Sequence, residues 1–225
     1  MTGGIFVTGT DTGAGKTTVA CALLRKYATG GLRVVGMKPV AAGGGAANGD
    51  IVALAAAGNV DAPLSMRCPY AFEHAIAPHL AAREAGVTIA LDRIVESYYA
   101  LKARADYVVV EGAGGALAPV SERLDVLDIA RALSLPVLMV VGMRLGCLNH
   151  ALLTALAIRA RGLELVGWVA NSIDPAMARR DENVAALERR LSAPRLASVG
   201  WSPADAPERS EIGGTVNFSR YLDPC

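Results

Sequence analysis

The residues Gly9-Thr10-Asp11-Thr12-Gly13-Ala14-Gly15-Lys16-Thr17-Thr18 stand between an apolar run, Ile5-Phe6-Val7, and a helical stretch from Val19 to Leu24. A strand, a glycine loop and a helix in that order make a cradle for anions. Gly13 and Gly15 let the backbone approach phosphate oxygens, the helix start offers unpaired N–H groups and a positive dipole end, and Lys16 supplies a cation. Thr17 can set its hydroxyl on magnesium beside them. The usual form of this loop has glycine where Thr10 stands; here Gly9 lies one residue earlier. A turn that only packs a helix on a strand explains neither the Gly-Lys-Thr triplet nor its place after the first strand. A site for the phosphates of a nucleoside triphosphate is therefore implied, with Ala14 and Thr18 in the same loop.

Other chemistry-bearing residues fall where apolar runs end. Lys38 closes Val34-Val35-Gly36-Met37 and would bring an ammonium group beside the loop, as an anion clamp. Asp50 follows Gly43-Gly44-Gly45 and reads either as the cap of the next helix or as a metal ligand. Glu111 ends Val108-Val109-Val110 and precedes Gly112-Ala113-Gly114-Gly115, which suits a carboxylate facing magnesium with backbone close by. Gly146-Cys147-Leu148-Asn149 opens a later helix, whose free N–H groups could hold a carboxylate. Asn149 also reads as a helix cap, Cys147 as a small buried residue without a base, and His79 and His150 as structural. Asn171 closes Trp168-Val169-Ala170 with an amide able to bond a base edge. Ser172 stands where a guanine-reading motif needs lysine, which weakens a GTPase reading.

These positions require short buried strands that end on one side. Val- and Ile-rich runs alternate with longer Ala/Leu-rich stretches, the pattern of parallel strands covered by helices. Strands are predicted near 4–8, 33–37, 106–110, 136–141, 165–170 and 196–199. Helices are predicted at 16–28, 50–57, 90–104, 125–133, 147–161 and 176–191. Residues 41–49 and 62–86 read as loops. The expected architecture is α/β, one domain over residues 1–225, with a mostly parallel central sheet and helices on both faces. Ligands of such sheets bind over the strands' C-terminal ends.

The chain has 225 residues, 52% of them hydrophobic and 19% charged, with a formal net charge of +1. That balance gives no electrostatic reason to expect nucleic acid or an anionic membrane as partner. Neither a signal peptide nor an anchor is expected from the N-terminal residues, and no apolar run reaches membrane-spanning length, about 18 residues. Cys21, Cys68, Cys147 and Cys225 are widely separated, and a cytoplasmic protein with free thiols is expected.

Taken together, five segments resemble the dethiobiotin synthetase family. They are Gly9 to Thr17, Lys38-Pro39-Val40-Ala41, Val110 to Gly115, Leu145 to His150, and Gly167-Trp168-Val169-Ala170-Asn171. The likeness runs from residue 5 to about 208. It implies a P-loop NTPase-like fold and ATP-dependent ureido-ring closure on 7,8-diaminopelargonic acid with carbon dioxide, through a carbamate and a carbamic–phosphoric anhydride. By the same resemblance Lys16 would hold the phosphoryl group, Thr12 and Lys38 would face the carbamate, and Thr17, Asp50 and Glu111 would gather around Mg2+. Gly112, Ala113 and Gly114 would lie against the nucleotide, and Asn171, Gly200, Trp201, Ser202 and Glu208 would surround its base. A homodimer is implied, with Gly146, Cys147, Leu148 and Asn149 of the second chain holding the substrate carboxylate. The chain departs from a common family pattern at Ala42, where serine often contacts substrate, and at Gly200, which replaces a frequent proline. Two other classes share the phosphate loop. Amidoligases of the cobyrinate type carry an added glutamine-using domain, for which this chain has no room. ParA/MinD-like switches favour a lysine near the loop start and an amphipathic tail, and neither Thr10 nor Phe218 to Leu222 supplies these features.

Overall fold

The computed structural model describes residues 3–201. The first strand, β1 (Gly4–Gly9), alternates its side chains between two cores: Ile5 and Val7 point to one, Phe6 to the other. Strand geometry sends successive side chains to opposite faces, so a run that is apolar throughout needs cover on both sides. Helices α1 (Lys16–Thr29) and α2 (Gly49–Ala57) cover one face with Val19, Leu23, Leu24 and Leu54. The other face lies under α5 (Leu91–Lys102), α6 (Val126–Ala132), α7 (Cys147–Ala160) and α8 (Arg180–Arg190), which contribute Ile94, Leu127, Ala151 and Leu187.

The sheet also contains β2 (Val34–Met37), β5 (Tyr107–Glu111), β6 (Val137–Met143), β7 (Leu165–Ser172) and β8 (Arg195–Val199), in the order β2-β5-β1-β6-β7-β8. Every described ladder in it is parallel. The strand carrying the glycine loop therefore sits inside the sheet between β5 and β6, and Lys38, Glu111 and Asn171 end neighbouring or nearby strands on the same side. The predicted strands all form, each within two residues of its expected bounds.

Residues 41–49 and 62–86 are not the plain loops expected. They contain β3 (Val40–Ala42), a short 3-10 turn (Gly45–Ala47), α3 (Leu64–Arg67), β4 (Tyr70–Phe72) and α4 (Pro78–Glu84). β3 and β4 pair in parallel as a separate two-stranded sheet. Strands of three residues between prolines carry too little periodicity to be read from sequence. Their register places Tyr70 and Phe72 in the main core. α8 also starts later than the predicted residue 176. The Asp174 carboxylate takes the N–H of Ala176 in a turn, and Arg179, at φ 56°, is the residue that opens the helix.

Local signals explain the helix starts that aim the site. Asp125 and Asp128 form a reciprocal capping box at the start of α6. Arg161, just past α7, closes on both carboxylates, at 2.5 Å from Asp125 and 2.8 Å from Asp128, fastening the two helices together. Asn48 caps α2 by accepting from the N–H groups of Asp50 and Ile51, while its amide donates to the Gly43 carbonyl. Asp50 is thus a first-turn residue and not the cap.

Candidate active site

The glycine loop leaves β1 and turns into α1 through Gly13 (φ 74°) and Gly15 (φ 90°), backbone conformations that favour glycine. Gly15 has a second constraint: a Cβ there would overlap Asn171 Nδ2. That amide donates to the Ala14 carbonyl at 2.8 Å, so the end of β7 braces the loop from behind. Lys16 folds back onto its own loop, its Nζ donating to the Asp11 carbonyl at 3.0 Å, and burial lowers its pKa against the pull of nearby carboxylates. The Asp11 side chain accepts from Thr12 N–H and pairs with Arg144, which tethers the loop to the segment after β6.

Beside the loop three strand and helix ends converge. Lys38 Nζ lies 2.6 Å from Asp50 Oδ2 and 2.7 Å from Glu111 Oε1. Thr17 Oγ1 is 2.8 Å from Asp50 Oδ1 and 2.9 Å from Glu111 Oε1, and its single proton serves only one of them at a time. Burial alone would lower the Lys38 pKa, but Glu111 and Asp50 more than offset it, and the ammonium is held above its ordinary range. Asp50 goes down because Lys38 and Thr17 outweigh its own burial.

These residues fit a divalent cation. Glu111 is buried, and its Oε2 has no hydrogen-bond partner. An orphaned carboxylate oxygen in the interior needs a donor or a cation. Among the described residues no three His, Cys, Asp or Glu side chains form a closed cage. Two carboxylates and a hydroxyl are the sparse oxygen set that magnesium takes alongside water and phosphate.

Two cavities flank this cluster. The larger, about 580 Å³, is lined by Thr12, Lys38, Asp50, Ala113 and Gly114 on the cluster's side, and by Ala75 to Pro78 opposite. Ala42 is in its wall, where its methyl offers no hydrogen bond. The smaller, about 190 Å³, lies between the glycine loop and the ends of β7 and β8, and Thr18, Asn171, Gly200 and Trp201 line it. Ser202, Glu208, Cys225 and Phe218 to Leu222 lie outside the described residues.

Gly112 and the first residues of α7 are outside the linings of both cavities. Gly112 packs against α6, where a Cβ would meet Val126 Cγ1 at 2.6 Å. Gly146 opens α7 at φ 94°, so Asn149 is not its cap. Gly146, Cys147, Leu148 and Asn149 line neither of these two cavities of their own chain. Cys147 is buried, and burial raises its thiol pKa, so it is no nucleophile. Sequence reading missed Asn48, Arg144 and the wall from Ala75 to Pro78. Asn48 was detectable, since asparagine two residues before Asp50 at a helix start is a cap signal; Arg144 and the wall gave no local sign.

A family model described as "AAA domain" matches residues 3–209. The chain is 55% identical over 201 residues to the ATP-dependent dethiobiotin synthetase BioD of Nitrosospira multiformis, covering 88% of each chain. It is 53% identical over 218 residues to the protein of the same name from Aromatoleum aromaticum, covering 93% of this chain and 97% of that one. In solved structures the fold resembles the septum site-determining protein MinD of Pyrococcus horikoshii complexed with Mg-ADP. That likeness has a TM-score of 0.56 at 19% identity, covering 90% of this chain and 83% of MinD. Identity that low speaks for the fold alone, whereas the curated relatives match nearly end to end. The chain belongs to the ATP-dependent dethiobiotin synthetase family.

Proposed function

We propose that this chain is an ATP-dependent ligase that forms dethiobiotin in biotin biosynthesis, from 7,8-diaminopelargonic acid and carbon dioxide. The observation that carries the reading is the buried Lys38, which joins Asp50 and Glu111 at the mouth of the larger cavity, beside the glycine loop. A nucleotide site and a cavity of substrate size thus share one charged wall.

One amine of the substrate adds to carbon dioxide and loses a proton, giving a carbamate. A carbamate oxygen takes the γ-phosphoryl group of ATP, releasing ADP, and the second amine attacks that carbonyl, expelling phosphate and closing the ring. This chemistry forms no bond to the protein, so positioning and charge stabilisation are its whole contribution. Lys16 holds the transferring phosphoryl group, Lys38 and Thr12 face the carbamate, and the Ala75 to Pro78 wall covers the aliphatic chain. Thr17, Asp50 and Glu111 would hold Mg2+, which offsets phosphate charge during transfer.

A homodimer completes the site. α7 exposes Leu153 and Leu156 (each 56%) and begins beside Leu145, which is 95% exposed. An apolar helix face of this kind suits a second copy, and it adjoins the Gly146 to Asn149 segment, which could then reach its neighbour's cavity. Among the described residues no helix is long and apolar enough to cross a membrane. One domain over the whole chain and a cytoplasmic location complete the proposal.

The test is product mass and phosphate release from purified protein with magnesium ATP, bicarbonate and the diamine, omitting each in turn. Dethiobiotin from the complete mixture alone is expected. Folded protein that binds nucleotide but forms no product would overturn the assignment.

A further inference from the structure

β2 ends the main sheet on one side, and its outer edge lacks one rung. Alternate residues of a strand turn their backbone groups to opposite sides. The Arg33 carbonyl accepts from Asp106 and Tyr107 N–H, so Arg33, Val35 and Met37 face β5, and Val34, Gly36 and Lys38 face outward. Two of these outward rungs are filled by the chain itself. Val34 N–H donates to Asn59 Oδ1 at 2.7 Å, and the Val34 carbonyl accepts from Asn59 and Val60. Lys38 N–H donates to the Arg67 carbonyl at 2.8 Å. Between them the N–H and carbonyl of Gly36 have no partner among the described residues, although Gly36 is buried. An interior donor and acceptor left unpaired side by side call for something to bond them.

The missing rung opens on a cavity of about 280 Å³, lined by Gly36, Leu54, Ala55, Val60, Asp61 and Arg67 among others. It shares no lining residue with the two cavities of the active site. One water occupies about 30 Å³, so the space is that of a small molecule. An added peptide strand does not fit, because Asn59 and Arg67 already hold the rungs on either side. The occupant is one rung long, with a carbonyl for the Gly36 N–H and an adjacent N–H for the Gly36 carbonyl. A cyclic urea presents that pair on one edge and has a second N–H, which the Asp61 carboxylate can accept. Leu54 and Val60 suit an aliphatic chain. Arg67 donates its Nε to the Ala62 carbonyl, and its terminal nitrogens have no partner among the described residues, which leaves them for a carboxylate.

We propose that this cavity is a binding site, separate from the active site, for a cyclic urea that carries an aliphatic carboxylate. Dethiobiotin has that chemistry, and only its choice as the natural occupant rests on the proposed function.

Dethiobiotin binding to the full-length chain is measured by calorimetry without ATP, with the diamine at saturation to occupy the active site. One mole per chain is expected to bind. Ala55→Trp fills the mouth of the cavity from an exposed position on α2 and should abolish that binding. Arg67→Gln should weaken it at least about 10-fold, the loss of one hydrogen bond to a charged group. Hexanoate, which has a tail and no urea, should not bind. ATP binding by both variants checks that they are folded. Dethiobiotin that does not bind the unaltered chain under these conditions overturns the proposal, as does undiminished binding by either variant. A chain that fails to close the ring but binds dethiobiotin in this way would keep the site and lose only the proposed function.

Discussion

Lys38 and Glu111 meet 2.7 Å apart at the C-terminal ends of adjacent strands, their side chains 6% and 1% exposed. A charge pair this deep is costly to break on one side only, because the surviving charge keeps its desolvation penalty without its partner.

Lys38→Met should therefore lower stability as well as stop ring closure. Removing one member of a buried pair costs about 3–5 kcal/mol, and in a chain of this size each kcal/mol moves the melting temperature by about 2–4 °C. Nucleotide should still bind, since Lys16 and the loop backbone are untouched. Magnesium should raise the melting temperature of this variant more than that of the unaltered chain, because Asp50 and Glu111 are left with no other cation between them. Calorimetric melting with and without magnesium decides it, and equal shifts would remove these carboxylates from the metal site.

Gly15→Ala should weaken ATP binding through Asn171. The added methyl overlaps the Asn171 amide, and φ of 90° is unfavourable for alanine in any case. Replacing Asn171 with alanine removes the overlap but not the backbone strain. The double variant should thus bind ATP better than the sum of the single losses predicts, by about 1 kcal/mol or more in a double-mutant cycle. Strict additivity would mean that the bracing contact does not matter.

How far these contacts could be read beforehand differs by type. Gly-Lys-Thr, the strand-end Lys38 and Glu111 and the six sheet strands were legible because each is a local pattern: an apolar run, then a charge or a glycine. The overlap between Gly15 and Asn171 joins residues 156 positions apart, and no local spacing encodes it. The β3–β4 sheet escaped for another reason. Three-residue strands flanked by Pro39 and Pro69 look like loops until their pairing is seen. Asp50 stood open between cap and ligand until Asn48 was found in the capping role.

Stability should fall at alkaline pH because of three tyrosines. Burial pushes the Tyr98 hydroxyl up to about 12, and raises Tyr27 and Tyr107 further, where their rings meet edge to face at 5.0 Å. Each is neutral in the folded chain at a pH where the unfolded chain ionises it. Their contribution is therefore complete below about pH 10 and is lost as pH rises toward their folded values, by about 1.4 kcal/mol per unit for each tyrosine. Denaturant midpoints from pH 8 to 11 check this, and the loss should shrink in Tyr98→Phe. A flat profile above pH 10 would contradict it.

Leu153→Glu together with Leu156→Glu should yield a folded monomer without ring-closing activity, since both side chains are exposed on the single chain and support none of its own core. Sedimentation and turnover, measured on one preparation, test the pairing. A fully active monomer would sever the second chain from the chemistry.

The strand order has a consequence for how the chain comes into being. β1, which carries the glycine loop, lies between β5 and β6, and these begin at residues 107 and 137. During synthesis the N-terminal hundred residues emerge with the loop attached to a strand whose two neighbours do not yet exist. Long-range parallel pairing is slow to form and leaves apolar edges open meanwhile. The nascent chain must keep β1 and β2 from wrong partners until Tyr107 to Glu111 slides between them, so the anion cradle is written first and built last.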